Sequence, residues 1–224
     1  MRKASAAKWC CAAVGLLIAG AAVCGGDQRR EVRPDRSAST DGAARTAEVL
    51  CEVSDLSPQP RRDAPTEPEL RREFLEMAEA DQAERTGKVN ANNDARRTDR
   101  LRDVMDKHGW PDARFVGADG ASAAWLIAQH ADHDVVFQRR ALGLMCVAVA
   151  TGTADATELA YLEDRVAVNS GRPQIYGTQF GGCEDGRPVP RPIADEAGVH
   201  ERRAKVGLQP LDEYLAQFQD ACDE

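Results

Sequence analysis

Aromatic residues are scarce in this chain, 5% of 224 residues, and basic residues do not predominate. With a formal net charge of −8, this excludes a phosphate-tracking basic surface and a stacking platform for bases, so no nucleic acid partner is expected. No apolar run approaches the roughly 20 residues that a membrane-spanning helix needs. There is no Cys-x-x-Cys pair to suggest a zinc ribbon or a thioredoxin-like centre. A Gly-x-Ser-x-Gly elbow, a P-loop and a dinucleotide-binding glycine fingerprint are also missing, and no cofactor is implied. What is present, 42% hydrophobic and 29% charged residues, suits one ordinary globular domain with extensions.

The first extension reads as an address. Arg2, Lys3 and Lys8 precede the apolar run 12–23, which is long enough for a signal-peptide core and too short to cross a bilayer. Residues 1–23 are therefore expected to be a signal peptide, and the protein to be exported by a bacterium. Removing them leaves 26 Lys plus Arg against 37 Asp plus Glu, a net charge of −11. Ala19-Gly20-Ala21 offers the small-x-small pattern of ordinary signal peptidase, which would yield a secreted or periplasmic protein. Cys24, followed by Gly25, Gly26 and Asp27, resembles instead the lipidated cysteine of a membrane-anchored lipoprotein. Val23 and Ala21 depart from that second pattern, and both routes stay open. Contact with a membrane is expected only through a lipid at Cys24.

Of the seven cysteines, Cys10 and Cys11 leave with the signal. A lipidated Cys24 would leave Cys51, Cys146, Cys183 and Cys222 as an even set in an oxidising compartment. Cys146 lies in an apolar helical run and Cys222 continues the stripe Leu211, Leu215, Phe218, so both read as core packing. Cys51 and Cys183 fall in loop-like sequence, and if a disulfide forms, Cys183 is its expected member.

Residues 24–65 carry Pro34, Pro58, Pro60 and Pro65 among Ser, Ala, Arg and Asp, with 49–51 as the only apolar run, and read as a flexible tether. A mainly α, compact multi-helix domain is expected over 66–224. Thr66-Glu67-Pro68-Glu69 reads as a capping box opening a helix with Leu70, Phe74 and Met77 on one face, stopped by Gly87. Further helices are expected over about 94–108, 121–128, 134–150 and 156–168. The third has almost no polar residue and should be surrounded by protein. Residues 171–195 are rich in Gly and Pro and suggest a long irregular loop with room for a short hairpin, before helical patterns over about 196–206 and 210–221.

The informative residues are polar ones on apolar stripes. Extending Leu70, Phe74, Met77 lands on Asp81 and then Arg85, an acid and a base at i, i+4 where burial is expected, with Gln82 adjoining. A structural ion pair anchoring the helix end is the simplest reading. Ala123, Leu126 and His130 share a face, which places His130 at a helix C-terminus, where the dipole favours its protonated form. Asp132 can orient it or cap the next helix. Gln138 sits inside the seam Val135, Leu142, Met145, Val149; Arg165 shares a face with Tyr161, and Arg203 lies between Val199 and Val206. His130 as general acid or base, Asp132 as its orienter and Arg165 as electrostatic stabiliser would make a catalytic set. A satisfied structural network would look the same. His130-x-x-His133-Asp134 has one-turn spacing, but a new helix starting at His133 would separate the two imidazoles, and no metal is expected.

Six short motifs occur in order: Trp110-Pro111, Gln129-His130-Ala131-Asp132, Phe137-Gln138, Ala160-Tyr161-Leu162 with Asp164-Arg165-Val166, Gln174-x-Tyr176-Gly177-Thr178-Gln179, and Arg202-Arg203 before Gly207-Leu208. Over about residues 76–215 the chain resembles a bacterial family known only as domain of unknown function 6624, whose opening segment Asp81-Gln82-Arg85 also matches. The resemblance implies as site residues Asp81, Gln82, Arg85, Gln129, His130, Asp132, Gln138, Arg165, Gln174, Tyr176, Gln179 and Arg203. It brings no activity, substrate or mechanism. Two functions follow as expectations: an exported binding or interaction domain that takes a polar or anionic ligand through Arg165 and the Gln-Tyr-Gln loop, and a hydrolase-like enzyme using His130.

Overall fold

The computed structural model describes residues 65–219 and Cys222. The expected signal peptide and, but for Pro65, the expected tether lie outside the described residues. Among the described residues there are seven α-helices, α1 (Pro68–Arg85), α2 (Asp94–His108), α3 (Ala113–Gln129), α4 (Val135–Ala150), α5 (Ala156–Asn169), α6 (Val199–Lys205) and α7 (Leu211–Ala216), and a two-stranded antiparallel hairpin of β1 (Phe180–Glu184) and β2 (Arg187–Pro190), whose main helix contacts are with α7. The fold is mainly α, as expected. No helix of the described residues is long and apolar enough to cross a membrane.

α3 is the centre, packed against α1, α2, α4 and α5. Ala121, Ala123, Ala124, Trp125, Leu126, Ile127 and Ala128 are all buried, because small residues let four neighbours approach one helix. α3 begins eight residues before the expected start, and its first turn is set off by a kink at Gly117 (φ 76°, ψ 161°), a backbone conformation that L side chains rarely adopt. Asp112 caps that first turn by accepting from the Arg114 and Phe115 amides.

Local signals start two further helices. The carboxylate of Asp134 accepts from Phe137 N to cap α4, and that of Asp155 accepts from Thr157 N and Glu158 N to cap α5. The capping box expected at α1 does not form. Glu67 is the N-cap residue and makes no side-chain cap bond, while Thr66 Oγ1 donates instead to Phe115 O, 49 residues away. α7 is shorter than its apolar period suggested. Its stripe continues past the helix, where Phe218 joins Phe180 and Tyr214 in an aromatic cluster.

Cys183 on β1 is joined to Cys222, so the C-terminal segment is pinned to the hairpin. Core packing is thus the wrong reading for Cys222. Cys146 is disulfide-bonded as well, yet it packs, partly buried, against the core as expected.

Candidate functional site

At the C-terminal end of α3 the chain turns through residues 130–134 into α4. His130 is the cap residue of α3, 6% exposed, and its ring faces the last turn of α1. There Asp81, fully buried one step beyond Met77, places Oδ2 2.8 Å from His130 Nδ1. Arg85 Nε donates to both Asp81 oxygens at 3.1 and 3.2 Å, and Gln82 Nε2 donates to Oδ2 at 2.9 Å. α2 closes the cluster: Arg85 Nη2 reaches Asp94 Oδ1 at 2.9 Å, and Arg97 bridges Asp94 and both oxygens of Glu84.

These contacts set the protonation states. Burial pushes the Asp81 carboxyl up, but the hydrogen bond from His130 and the Arg85 guanidinium more than offset it and hold the group at about 2. An ionised carboxylate 2.8 Å from Nδ1 needs a proton between them, so Nδ1–H donates to Asp81. Arg85 Nε also lies 2.9 Å from Nδ1, two donors sharing one carboxylate. The imidazole itself is pushed below its ordinary value, first by burial and then by the charges of Arg85 and Arg165, against the pull of Asp81. This reverses the expectation that the helix dipole keeps His130 protonated: loss of solvent outweighs a partial charge.

Asp132 does not orient His130. Its carboxylate points to α5, where Arg165 Nε donates to Oδ1 at 2.7 Å and Nη2 to Oδ2 at 2.6 Å. Asn169 Nδ2 donates to Oδ1 at 2.8 Å and Gln138 Nε2 reaches it at 3.4 Å. Arg165 Nη1 donates to Gln179 Oε1 at 2.9 Å, which ties the long loop to this pair. Desolvation raises the Asp132 carboxyl, yet the charge of Arg165 and the hydrogen bonds from Arg165 and Asn169 leave it below its ordinary value. The Asp132 side chain is 43% exposed, whereas Arg165 is at 5%. Gln138 is fully buried and satisfies its amide by donating to Ala128 O and Gln129 O, carbonyls left open at the end of α3. Asp134, not Asp132, caps α4.

The rest of the Gln-Tyr-Gly-Thr-Gln loop is held by buried side chains of α5 and α6. Asp164, buried on α5, accepts from the amides of Ile175, Tyr176 and Thr178 and from Thr178 Oγ1. Arg203, also fully buried, takes the opposite side of the loop, donating to Tyr176 O at 2.7 Å and to Gln209 O at 2.6 Å, over the Tyr214 ring. Gln174 Nε2 donates to Gln179 O and Arg191 O while its Oε1 accepts from Gln179 N. Burial and the nearby charges of Glu163 and Asp164 raise the Tyr176 phenol. Gln174, Tyr176 and Arg203 thus shape the loop, whereas Gln179 alone of these reaches Arg165. The Gln129 side chain is buried with its Oε1 unpartnered.

Two linked clusters result: Asp81, Gln82, Arg85 and His130 on one side of the turn, Asp132, Gln138, Arg165 and Gln179 on the other. Residue-level reading missed Glu84, Asp94, Arg97, Asn169 and Asp164. Two of these had a signal: Asn169 stands four residues after Arg165 on one helix face, and Arg97 opens the buried stripe Leu101, Val104. Among the described residues no group of three or more His, Cys, Asp and Glu is placed to hold a metal ion.

Fold and network define a class: a helical domain whose central helix ends in a buried carboxylate–imidazole–guanidinium network with one carboxylate open to solvent. The chain belongs to the family of unknown function DUF6624, whose model matches residues 68–223. No curated protein and no solved structure matches it.

Proposed function

We propose that the chain is an exported domain that binds a small polar ligand at the Asp132 edge of this network. One observation carries the reading: the Asp132 carboxylate is 43% exposed while Arg165, which grips it, is at 5%. Such a group is oriented in advance, so a ligand does not have to order it. The charges favour a ligand that brings hydrogen-bond donors. Asp81, Glu84, Asp94 and Asp132 face Arg85, Arg97 and Arg165, and with neutral His130 these residues sum to one negative charge. Hydroxyl or amino groups suit that edge better than an anion does.

Titration calorimetry with monosaccharides and primary amines, using acetate and phosphate as controls, tests this. Binding of a donor-bearing probe that Asp132→Asn weakens at least tenfold supports the reading. Binding of the anions alone, or an unchanged affinity in Asp132→Asn, overturns it.

A hydrolase-like reading has its own observation, the neutral His130 with Nδ1 held 2.8 Å from an ionised carboxylate. That arrangement leaves Nε2 as the basic atom, and Asp81 takes the orienting role first expected of Asp132. Under it, His130→Gln abolishes turnover of a chromogenic ester panel while circular dichroism stays unchanged.

A further inference from the structure

Asn169 closes the last turn of α5, and its amide has a single possible orientation. Gln138 Nε2 lies 3.2 Å from both Ala128 O and Gln129 O, and carbonyls only accept, so Gln138 turns Oε1 towards Asn169. Asn169 then faces two acceptors, Gln138 Oε1 at 2.9 Å and Asp132 Oδ1 at 2.8 Å, and must meet both with Nδ2. Its own Oδ1 is left over. No hydrogen bond among the described residues reaches that oxygen, and it is not a sealed atom, so it opens to solvent beside Asp132.

Asp132 also has an acceptor position to spare. Its Oδ1 is filled by Arg165 Nε and Asn169 Nδ2, whereas among the described residues Oδ2 accepts from Arg165 Nη2 alone. Arg139 stands at the same edge. Its Nη2 donates at 2.9 Å to Ser170 Oγ, whose own hydrogen goes to Val166 O, and it pairs with no carboxylate of the described residues.

Building on the ligand-binding reading above, we propose that Asn169 sets the specificity of the Asp132 edge and that the ligand is a neutral saccharide held through two hydroxyls on adjacent carbons. One hydroxyl donates to Asp132 Oδ2 and its neighbour to Asn169 Oδ1. The charge of Asp132 is already matched by the two bonds from Arg165. An ammonium group would add a cation beside Arg165 and Arg139, with one carboxylate to offset three positive charges. A carboxylate ligand would face Asp132 with its own charge and offer Asn169 Oδ1 no hydrogen. A hydroxyl brings no charge, donates its hydrogen, and leaves its oxygen free to accept from Arg139. Both acceptors are fixed before the ligand arrives, one by Arg165 and the other by Gln138 and the open carbonyls of α3, so binding pays little to order them.

Titration calorimetry of the full chain with glucose, galactose and mannose, with their monodeoxy analogues and with methylamine, tests this. At least one of the three sugars should bind and methylamine should not. Of that sugar's analogues, two that lack adjacent hydroxyls should bind about tenfold or more weakly. In Asn169→Ala one of these two should bind as well as the parent sugar, since its missing hydroxyl no longer has an acceptor to lose, while the other keeps its penalty. Binding of methylamine in place of the sugars, weakened by Asp132→Asn, overturns the saccharide assignment and leaves the ligand-binding reading standing. Penalties that are the same in Asn169→Ala as in the native chain overturn the role of Asn169. If that variant loses its native circular dichroism, the native chain decides alone: penalties at two hydroxyls that are not adjacent, or at none, overturn the proposal. Binding of no probe removes both readings.

Discussion

Asp81 carries the most informative charge in the molecule, because a carboxylate with 1% exposed side chain persists only while His130 and Arg85 hold it. Its folded value of about 2 lies below the ordinary 3.8. The unfolded chain therefore takes up this proton first as pH falls. The stability it contributes is fully present above about pH 4 and is lost as pH drops towards 2, amounting to about 2 kcal/mol. Urea denaturation of the native chain and of Asp81→Asn should show this directly. The gap between the two proteins is expected to narrow by about that amount between pH 5 and pH 2, and a gap independent of pH would mean that Asp81 is not ionised in the fold. His130 adds in the same direction. Its folded value is depressed, so its contribution is present above the ordinary 6.5 and declines on acidification.

The loop between α5 and β1 shows how an element without regular structure is held. Its amides at Ile175, Tyr176 and Thr178 all point at Asp164, and its carbonyls at Ile175 and Tyr176 are taken by Arg202 and Arg203. A buried carboxylate on one side and two guanidiniums on the other replace a strand ladder. Gly177 completes the turn: its φ is +77°, and a Cβ there would lie 2.9 Å from both Ile193 Cδ1 and Leu211 Cδ1. Asp164→Asn turns one acceptor oxygen into a donor facing other donors. It is expected to cost at least about 2 kcal/mol. Hydrogen exchange should quicken at the 175, 176 and 178 amides while α4 stays protected. If those amides keep native protection, Asp164 does not organise the loop.

At the scale of the whole molecule, covalent and apolar closure meet at the C-terminus. The Cys183–Cys222 bond spans 39 residues of separation, and in the chain-entropy account a loop of that length stabilises the fold by about 4 kcal/mol. Replacing both cysteines by serine should lower the unfolding free energy by about 3 to 4 kcal/mol in guanidinium denaturation. The loss should fall on the hairpin and α7, where Tyr214 and Phe218 pack on Phe180, before it reaches α3. A change under 1 kcal/mol would show that the aromatic cluster alone holds this end.

The sequence alone determined what depends on neighbours a few residues apart. The bounds of α2 coincide with those expected, since its apolar period and the Gly109 stop are local signals. α4 and α5 start next to Asp134 and Asp155 for the same reason. That α3 is central was legible because an almost wholly apolar helix has no solvent face. The polar residues to watch were legible too, since Asp81, His130, Gln138 and Arg165 stand on apolar stripes. What those residues bond to was decided only by tertiary structure. Asp132, two positions from His130, is the orienter that sequence proximity predicts, but the turn out of α3 sends its carboxylate to Arg165 and the imidazole to Asp81. The carboxylate that reaches His130 is 49 residues away. Thr66 likewise gave up a local cap for a carbonyl 49 residues distant. Chain neighbours constrain backbone angles, whereas partners for buried charges come from whichever helices the core brings together, and no periodicity in one segment encodes that meeting.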